Sequence, residues 1–125
     1  HANDLVFVSG QIPLRDGSLQ ATGTVPSETG VELAVAAARQ CGINALAVLK
    51  SALDGDLDRV QRIIRIGVFV ASDPGFTDQP LVANGASELM LDVFGDAGRH
   101  ARAAVGSVAL PLNASVEVEL VAQVD

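Results

Sequence analysis

The sequence predicts an α+β domain: a mixed β-sheet with two helices on one face, in the order ββαβαββ. Two alanine-rich segments repeat apolar residues at three- and four-residue spacing, which is typical of amphipathic helices. Other segments alternate apolar and polar residues or are rich in valine and isoleucine, which is typical of strands. Helices that follow strands in this order favour packing against one face of a sheet.

The first half of the chain predicts a hairpin followed by a long helix. Residues 5–9, LVFVS, alternate as a strand does. The turn signal RDGS follows, and a short polar strand over residues 19–22 would close a hairpin. Ser27 is the predicted N-cap of an alanine-rich helix over residues 28–53, which Gly55 ends.

The second half predicts a long strand, a second helix and two final strands. Residues 60–71, VQRIIRIGVFVA, give the strongest strand signal, with Ile63 and Ile64 on opposite faces. A second helix is expected to begin after residues 77–78 and to end at Gly95. The final strands are predicted over residues 101–109 and 115–124.

Composition limits the classes of protein to which this chain could belong. At 125 residues it has the length of one domain, so residues 1–125 are predicted to form a single domain. Aromatic residues make up 3% of the chain, so the core must be aliphatic and there is no aromatic platform on which bases could stack. The net charge of −7 also disfavours a nucleic acid partner, because phosphate binding needs clustered Lys and Arg.

The numbers of cysteines and histidines and the hydropathy pattern indicate the cellular compartment and disfavour membrane, metal and cofactor binding. The single cysteine, Cys41, cannot form an intrachain disulfide, which suits a reducing compartment and predicts a cytoplasmic location. No apolar run approaches a membrane span, so no membrane partner is expected. With one Cys and two His, no metal site or cofactor is expected. The chain begins at His1 and enters a strand almost at once, which predicts a missing upstream segment.

Arg102 is the first candidate for a functional side chain. Ala103, Ala104 and Gly106 follow it, and residues this small leave room for a ligand beside the guanidinium. A guanidinium binds a carboxylate through two parallel hydrogen bonds, so the stretch predicts an anion site. The alternative is an exposed strand arginine that meets only solvent.

Glu117 and Glu119 form the second candidate. They are two residues apart on a predicted strand, so both point to one face, where one could orient a water; a solvated face is the alternative. If the last two strands form a simple hairpin, Glu117 lies near Ser107, about 17 Å along the sheet from Arg102. The pair could then share a small ligand only between two subunits.

Weaker signals come from a strand end and a helix interior. Ser9 and Gly10 end the first strand, where glycine would let a ligand approach the backbone; an ordinary bend is the alternative. Asn84 precedes Gly85 inside the second helix, which indicates close packing or a functional contact. His100 has no partner at a spacing typical of a metal site or a catalytic triad.

Several motifs, in their order along the chain, resemble the Rid/YjgF family of reactive-intermediate deaminases. They cover nearly the whole chain and close with a specific pattern of Arg, then Leu-Pro, then alternating Glu. The form GDAGRHAR resembles a divergent branch of the family rather than its best-known deaminases. The motifs are VFVSGQIP at residues 6–13, VFVAS at residues 68–72, Asn84 with its helix, ARAAVG, ALP and VEVELVA.

The resemblance implies a chorismate-mutase-like fold and a homotrimer with three sites in the clefts between subunits. It implies hydrolysis of a 2-imino acid, or its enamine, to a 2-keto acid and ammonia, without a metal or cofactor. Arg102 would hold the substrate carboxylate, Glu117 would position the attacking water, and the Ala104 backbone would contact the imine nitrogen. The residues that would help to line the cleft are Ser9, Gly10 and Asn84.

Two departures from the family pattern leave another function open. The family often has Cys at the position of Ala104, and its aromatic residue that closes the cleft has no counterpart in this sequence. A non-catalytic trimeric protein that binds a small keto acid, as a sensor or regulator, is therefore the alternative. Ribonuclease activity, an idea attached to parts of the family, is disfavoured by the acidic charge.

Overall fold

The computed structural model describes residues 1–125 and confirms an α+β fold of two helices and a mixed sheet. The helices are α1 (Val31–Ala52) and α2 (Gln79–Phe94). The strands are β1 (Leu5–Gln11), β2 (Leu14–Arg15), β3 (Ser18–Leu19), β4 (Val60–Ala71), β5 (Ala101–Ser107) and β6 (Val116–Val124). Short 3-10 turns cover Leu57–Arg59, Gly95–Gly98 and Pro111–Asn113.

The main sheet has four strands in the order β1-β6-β4-β5. β4 pairs parallel with β5 on one side and antiparallel with β6 on the other. A parallel pair needs a crossover connection, and α2 supplies it between β4 and β5. The hairpin supposed for the last two strands is therefore wrong, because β4 separates β5 from β6.

The hairpin expected at the start of the chain also differs from the prediction. β1 pairs with β6, and the turn closes a separate two-stranded ribbon in which Arg15 lies opposite Ser18. Asp16 and Gly17 both have positive φ, as a tight turn requires. The turn signal is therefore right, but the strands that it joins are β2 and β3, and β1 belongs to the main sheet.

Both helices pack on one face of the sheet, and the core between them is aliphatic, as predicted. A single cluster of 27 buried residues joins the helices to β1, β4 and β6. The helices approach closely at Gly85, where an added Cβ would overlap the carbonyl oxygen of Val35. The glycine inside α2 therefore serves helix packing.

α1 begins at Val31 rather than at residue 28, and its N-cap is Gly30 rather than Ser27. The Ser27 amide donates to Asp73 Oδ2 at 2.8 Å, and its hydroxyl donates to Asp73 Oδ1 at 2.9 Å. Because a carboxylate 46 positions away occupies both groups, Ser27 ties the loop before α1 to the end of β4 and does not cap the helix.

A β-bulge corrects the predicted faces of β4. The register against β6 shifts between Ile63 and Arg65, so that Ile63 and Ile66 are both buried on the helix-bearing face. Ile64, which the alternation places on that face, is only half-buried. An extra residue in one strand reverses which face of the sheet the side chains point to beyond the bulge. The hydropathy pattern alone did not indicate where the bulge lies.

α1 is long and apolar enough to cross a membrane by length and composition, which corrects the expectation that no apolar run reaches that length. In this fold it is a core helix that packs on the sheet and on α2. Its buried residues are Ala34, Ala37, Ala38, Cys41, Gly42, Ala45, Leu46 and Leu49.

The face of the sheet without helices carries apolar side chains beside paired charges. Phe7 and Val105 are 60% and 48% exposed there. Arg65 Nη1 lies 3.8 Å from Glu119 Oε2. We call this surface the open face of the sheet.

Candidate functional site

Arg102 lies on β5 with its side chain directed towards α2. Its Nη1 donates to Asn84 Oδ1 at 2.8 Å and to Ser87 Oγ at 3.2 Å. Asn84 and Ser87 are three residues apart in α2, so they occupy neighbouring positions on one helix face. The two acceptors hold the guanidinium in one orientation.

The positive charge of Arg102 has no acidic partner. Both of its acceptors are neutral, and the ion pairs of the structure use other arginines. Those arginines are Arg39, Arg59, Arg65 and Arg99. The remaining N–H groups of the guanidinium are therefore free to bind an anion in the two-point geometry that a carboxylate prefers.

The backbone of β5 presents hydrogen-bonding groups at the edge of the sheet. Ser72 N–H donates to the carbonyl of Ser107 at 2.9 Å, so Ser107 points its backbone groups towards β4. Backbone groups alternate in direction along a strand, so those of Arg102, Ala104 and Gly106 point away from β4. No strand pairs with this edge in the chain. The Ala104 backbone, predicted to contact a ligand, is thus available beside the arginine.

Glu117 lies on β6 with its carboxylate directly over Gly10 of β1. A Cβ added to Gly10 would overlap that carboxylate, so a larger residue there would have to displace the Glu117 side chain. Ser9 and Gly10 fall where the register of β1 against β6 shifts, which makes them part of a β-bulge. The structure therefore brings Ser9, Gly10 and Glu117 together.

The arginine and the glutamate do not meet within one chain. Arg102 faces α2, whereas Glu117 lies on the open face of the sheet beside Arg65 and Glu119. Along β4, Arg102 is level with Ile66 and Glu117 is level with Phe69. Two strand spacings across and three residues along correspond to roughly 14 Å between their backbones. Two half-sites result, one holding Arg102 and Asn84 and the other holding Ser9, Gly10 and Glu117.

Ser87 and His100 belong to the arginine half-site and were not predicted from the sequence. His100 Nε2 lies 2.9 Å from Ser87 Oγ, and His100 Nδ1 lies 2.6 Å from the carbonyl oxygen of Gly98. His100 therefore has hydrogen-bond partners, although they form neither a metal site nor a catalytic triad. Asn84 and Ser87 share one face of α2, but no pattern in the sequence indicates that His100, just before β5, contacts Ser87.

A cleft of about 410 Å³ opens beside this half-site, between α2 and the start of β5. Its lining contains no Asp or Glu, although the whole chain has a net charge of −7. The residues that line it are Ser87, Leu91, Arg99, His100 and Arg102. Arg99 is paired with Asp96, so Arg102 supplies the unpaired positive charge that suits the cleft to a small anion.

Other titratable groups lie outside these half-sites. Burial raises the pKa of the Cys41 thiol far above its usual range, with the charge of Glu117 adding to the effect. The thiol donates to the carbonyl of Val116 at 3.5 Å and is a core group. No three His, Cys, Asp or Glu side chains converge in a way that could hold a metal ion.

Comparison with known proteins identifies the family. Residues 2–124 match the family described as "YjgF/chorismate mutase-like, putative endoribonuclease". The chain belongs to this Rid/YjgF family. Both the resemblance and the chorismate-mutase-like fold expected from the sequence are therefore confirmed.

Individual relatives agree with this placement of the YjgF-like chain. Protein TCP17 of Trypanosoma cruzi is 47% identical over 121 residues, which cover 96% of this chain and 75% of TCP17. The crystal structure of Atu1372 from Agrobacterium tumefaciens matches with a TM-score of 0.98 and 47% identity, over 100% of this chain and 79% of Atu1372. A "putative endoribonuclease" from Shewanella oneidensis MR-1 matches with a TM-score of 0.95 and 33% identity, over 99% of this chain and 82% of that protein.

Proposed function

We propose that this protein hydrolyses reactive 2-imino acids, or their enamine forms, to 2-keto acids and ammonia. The observation that carries the proposal is the unpaired Arg102 guanidinium, which Asn84 and Ser87 hold beside the unpaired backbone edge of β5. A carboxylate bound to Arg102 would place the adjacent carbon and its nitrogen along that edge. The site is therefore suited to a small acid that is electrophilic at the carbon next to its carboxylate.

The chemistry needs an oriented substrate and one delivered water. Arg102 binds the carboxylate, and the Ala104 backbone contacts the imine nitrogen. Glu117 orients a water that adds to the imine carbon, and a proton passes to the nitrogen. The hydroxyl that the water forms on the carbon then gives its proton to the nitrogen as the carbon–nitrogen bond breaks, so that ammonia leaves and the keto acid remains. A fixed orientation and a held water supply the rate enhancement, and neither a metal nor a cofactor takes part.

The site is proposed to form between subunits of a homotrimer. Arg102 and Glu117 lie on opposite faces of the sheet, so Glu117 of a second copy must complete the site at Arg102. The open face, with Phe7 and Val105 exposed, offers an apolar surface for such an assembly. We place this single-domain protein, residues 1–125, in the cytoplasm, where its free Cys41 would stay reduced.

The test generates imines in solution with an amino-acid oxidase and follows release of the keto acid. Wild-type protein should accelerate the release, and Arg102→Ala should not. Arg15→Ala is the matched control, since Arg15 is also exposed and forms no ion pair. Wild-type protein that is no faster than the Arg102→Ala variant would sink the proposal.

A second candidate is a trimeric protein that binds keto acids without turnover. It is favoured by one observation: the arginine half-site is complete within one chain, whereas Glu117 lies elsewhere. Ala104 also offers only its backbone where a thiol is common in the family. Thermal-shift measurements with 2-keto acids separate the two functions, because a protein that is stabilised by ligand yet releases no keto acid from imines is a binding protein.

A further inference from the structure

A chain of polar groups stands behind Arg102 and takes no direct part in the proposed chemical steps. Arg102 Nη1 lies 3.2 Å from Ser87 Oγ, which lies 2.9 Å from His100 Nε2. His100 Nδ1 lies 2.6 Å from the carbonyl oxygen of Gly98. The Ser87 and His100 side chains are half-buried, so their hydrogen bonds are partly shielded from water.

The positions of the hydrogens along this chain follow from its two ends. A backbone carbonyl only accepts, so His100 Nδ1 must carry a proton and donate it to Gly98. In the neutral ring Nε2 then holds a lone pair and accepts the Ser87 hydroxyl proton. That turns an oxygen lone pair of Ser87 towards Arg102, whose Nη1 can only donate. Every donor in this chain of hydrogen bonds therefore has an acceptor, from the Gly98 carbonyl to the Arg102 guanidinium.

A serine that donates to a histidine is also the arrangement of an activated nucleophile, but the surroundings of Ser87 do not suit that role. Ser87 lies in the middle of α2, where the helix uses its own backbone N–H groups. Acyl transfer needs free N–H groups near the nucleophile to hold an oxyanion. The donor that contacts Ser87 is the side chain of Arg102, which is proposed to bind the ligand.

We infer that Ser87 and His100 are positioning residues that fix the Arg102 guanidinium for carboxylate binding. The imidazole sets the direction of the Ser87 hydroxyl, and the hydroxyl sets the plane of the guanidinium together with Asn84. The inference rests on the proposed role of Arg102 as the carboxylate ligand and is independent of turnover. Without this support the guanidinium would sample other rotamers, and each anion bound would have to order it again.

Two replacements of His100 separate its two hydrogen bonds. Glutamine reaches the position of Nε2 and can still accept from Ser87, whereas asparagine reaches only the position of Nδ1 and can still donate to Gly98. We expect pyruvate to bind His100→Gln about as tightly as wild type. We expect about 3- to 10-fold weaker binding by His100→Asn and Ser87→Ala, which is the effect of losing one hydrogen bond. Titration calorimetry with pyruvate measures all of these.

The wild-type protein supplies a second measurement that no folding defect can obscure. Nitrogen-15 spectra of the imidazoles report which ring nitrogen carries the proton, and His100 is distinguished from His1 by comparison with His100→Gln. We expect the proton on Nδ1 of His100. A proton on Nε2 would overturn the inference, because Ser87 could then no longer donate to the ring.

The remaining outcomes distinguish this inference from the proposed function. Pyruvate binding that is equal in the two His100 variants, or tighter in His100→Asn, shows that the histidine serves only the Gly98 loop and overturns the inference. Weak binding by Arg102→Ala with unchanged binding by Ser87→Ala also overturns it but leaves the carboxylate role of Arg102 standing. Unchanged binding by Arg102→Ala instead rejects the carboxylate role itself.

Discussion

The Arg102 guanidinium and the Asn84 side-chain oxygen lie 2.8 Å apart, and this contact fixes a cation without neutralising it. A carboxylate that pairs with an arginine neutralises its charge. An amide oxygen orients the guanidinium but leaves its positive charge available to bind an anion. The contact also joins α2 to the edge strand β5, so the proposed anion site is part of the helix–sheet packing.

Replacement of Asn84 by alanine should loosen the guanidinium and leave the fold intact. We expect about 3- to 10-fold weaker keto-acid binding, because one of two orienting hydrogen bonds is lost. Calorimetric titration with pyruvate checks this. The control is Glu88→Ala, an exposed change on the same helix at a side chain that forms no hydrogen bond. Equal affinities in the two variants would contradict the role given to Asn84.

Gly10→Ala should displace Glu117, because the added methyl group would occupy the position of its carboxylate. We expect kcat for imine hydrolysis to fall about 10- to 100-fold, with a smaller change in KM, since the water and not the carboxylate is misplaced. The control is Gly30→Ala, where a Cβ meets nothing within 4 Å and φ is −65°. Steady-state kinetics on both variants would show no difference if Glu117 had no part in the reaction.

Mixed trimers test whether the site is shared between copies. Arg102→Ala and Glu117→Ala are each expected to be inactive, yet co-refolding them should restore activity. If one subunit supplies Arg102 and its neighbour supplies Glu117, random mixing should restore about a quarter of the sites. Mixing Arg102→Ala with the doubly substituted chain is the control and should restore none. Ultracentrifugation checks that the first mixture forms trimers. If those trimers stay inactive, Arg102 and Glu117 do not act together in a site shared between subunits.

Asp73 should make the protein sensitive to acid. Hydrogen bonds from the Ser27 side chain and amide, with help from Thr24, hold the pKa of this carboxyl below its usual range. A lowered folded-state pKa means that the carboxylate stabilises the fold above the unfolded value of about 3.9, and that this contribution disappears as the pH falls through the folded-state pKa.

Asp73→Asn should therefore lower Tm at pH 7 by about 1–3 °C, a small change because the group is exposed. The difference from wild type should shrink as the pH falls below the unfolded-state value of about 3.9 and should vanish below the lowered folded-state pKa. Asp78→Asn, at a carboxylate without a hydrogen bond, is the comparison and should show no such convergence. Thermal melts across pH in both variants give the answer; a gap that stays constant with pH would contradict the assignment.

Local patterns in the sequence predicted the elements well, and long-range contacts account for the errors. The alternation in β6 correctly separates Val116 and Val118 from Glu117 and Glu119. Ser27 has the chemistry of an N-cap, but Asp73 at the end of β4 occupies it. No local signal could reveal that competition.

The candidate site shows the same division. Arg102 and Glu117 could be singled out because charge among small or aliphatic strand residues is visible in the sequence. The supposed hairpin correctly kept the two side chains apart, but for the wrong reason, since β4 lies between the two strands. Ser87 and His100 were missed because their contact depends on how α2 crosses over to β5, which spacing along the chain does not give.

The unpaired edge of β5 has a further consequence for the isolated chain. An edge of free backbone groups on a strand of small and apolar residues can add a strand from another molecule, which is the first step of aggregation. Arg102 is the sole charged residue on that strand, so the side chain that we propose binds the ligand also opposes self-association. Arg102→Ala should shorten the time for which dilute protein stays in solution before it aggregates. Arg102→Lys should not, because it keeps the positive charge although it loses the two-point hydrogen bonding of the guanidinium.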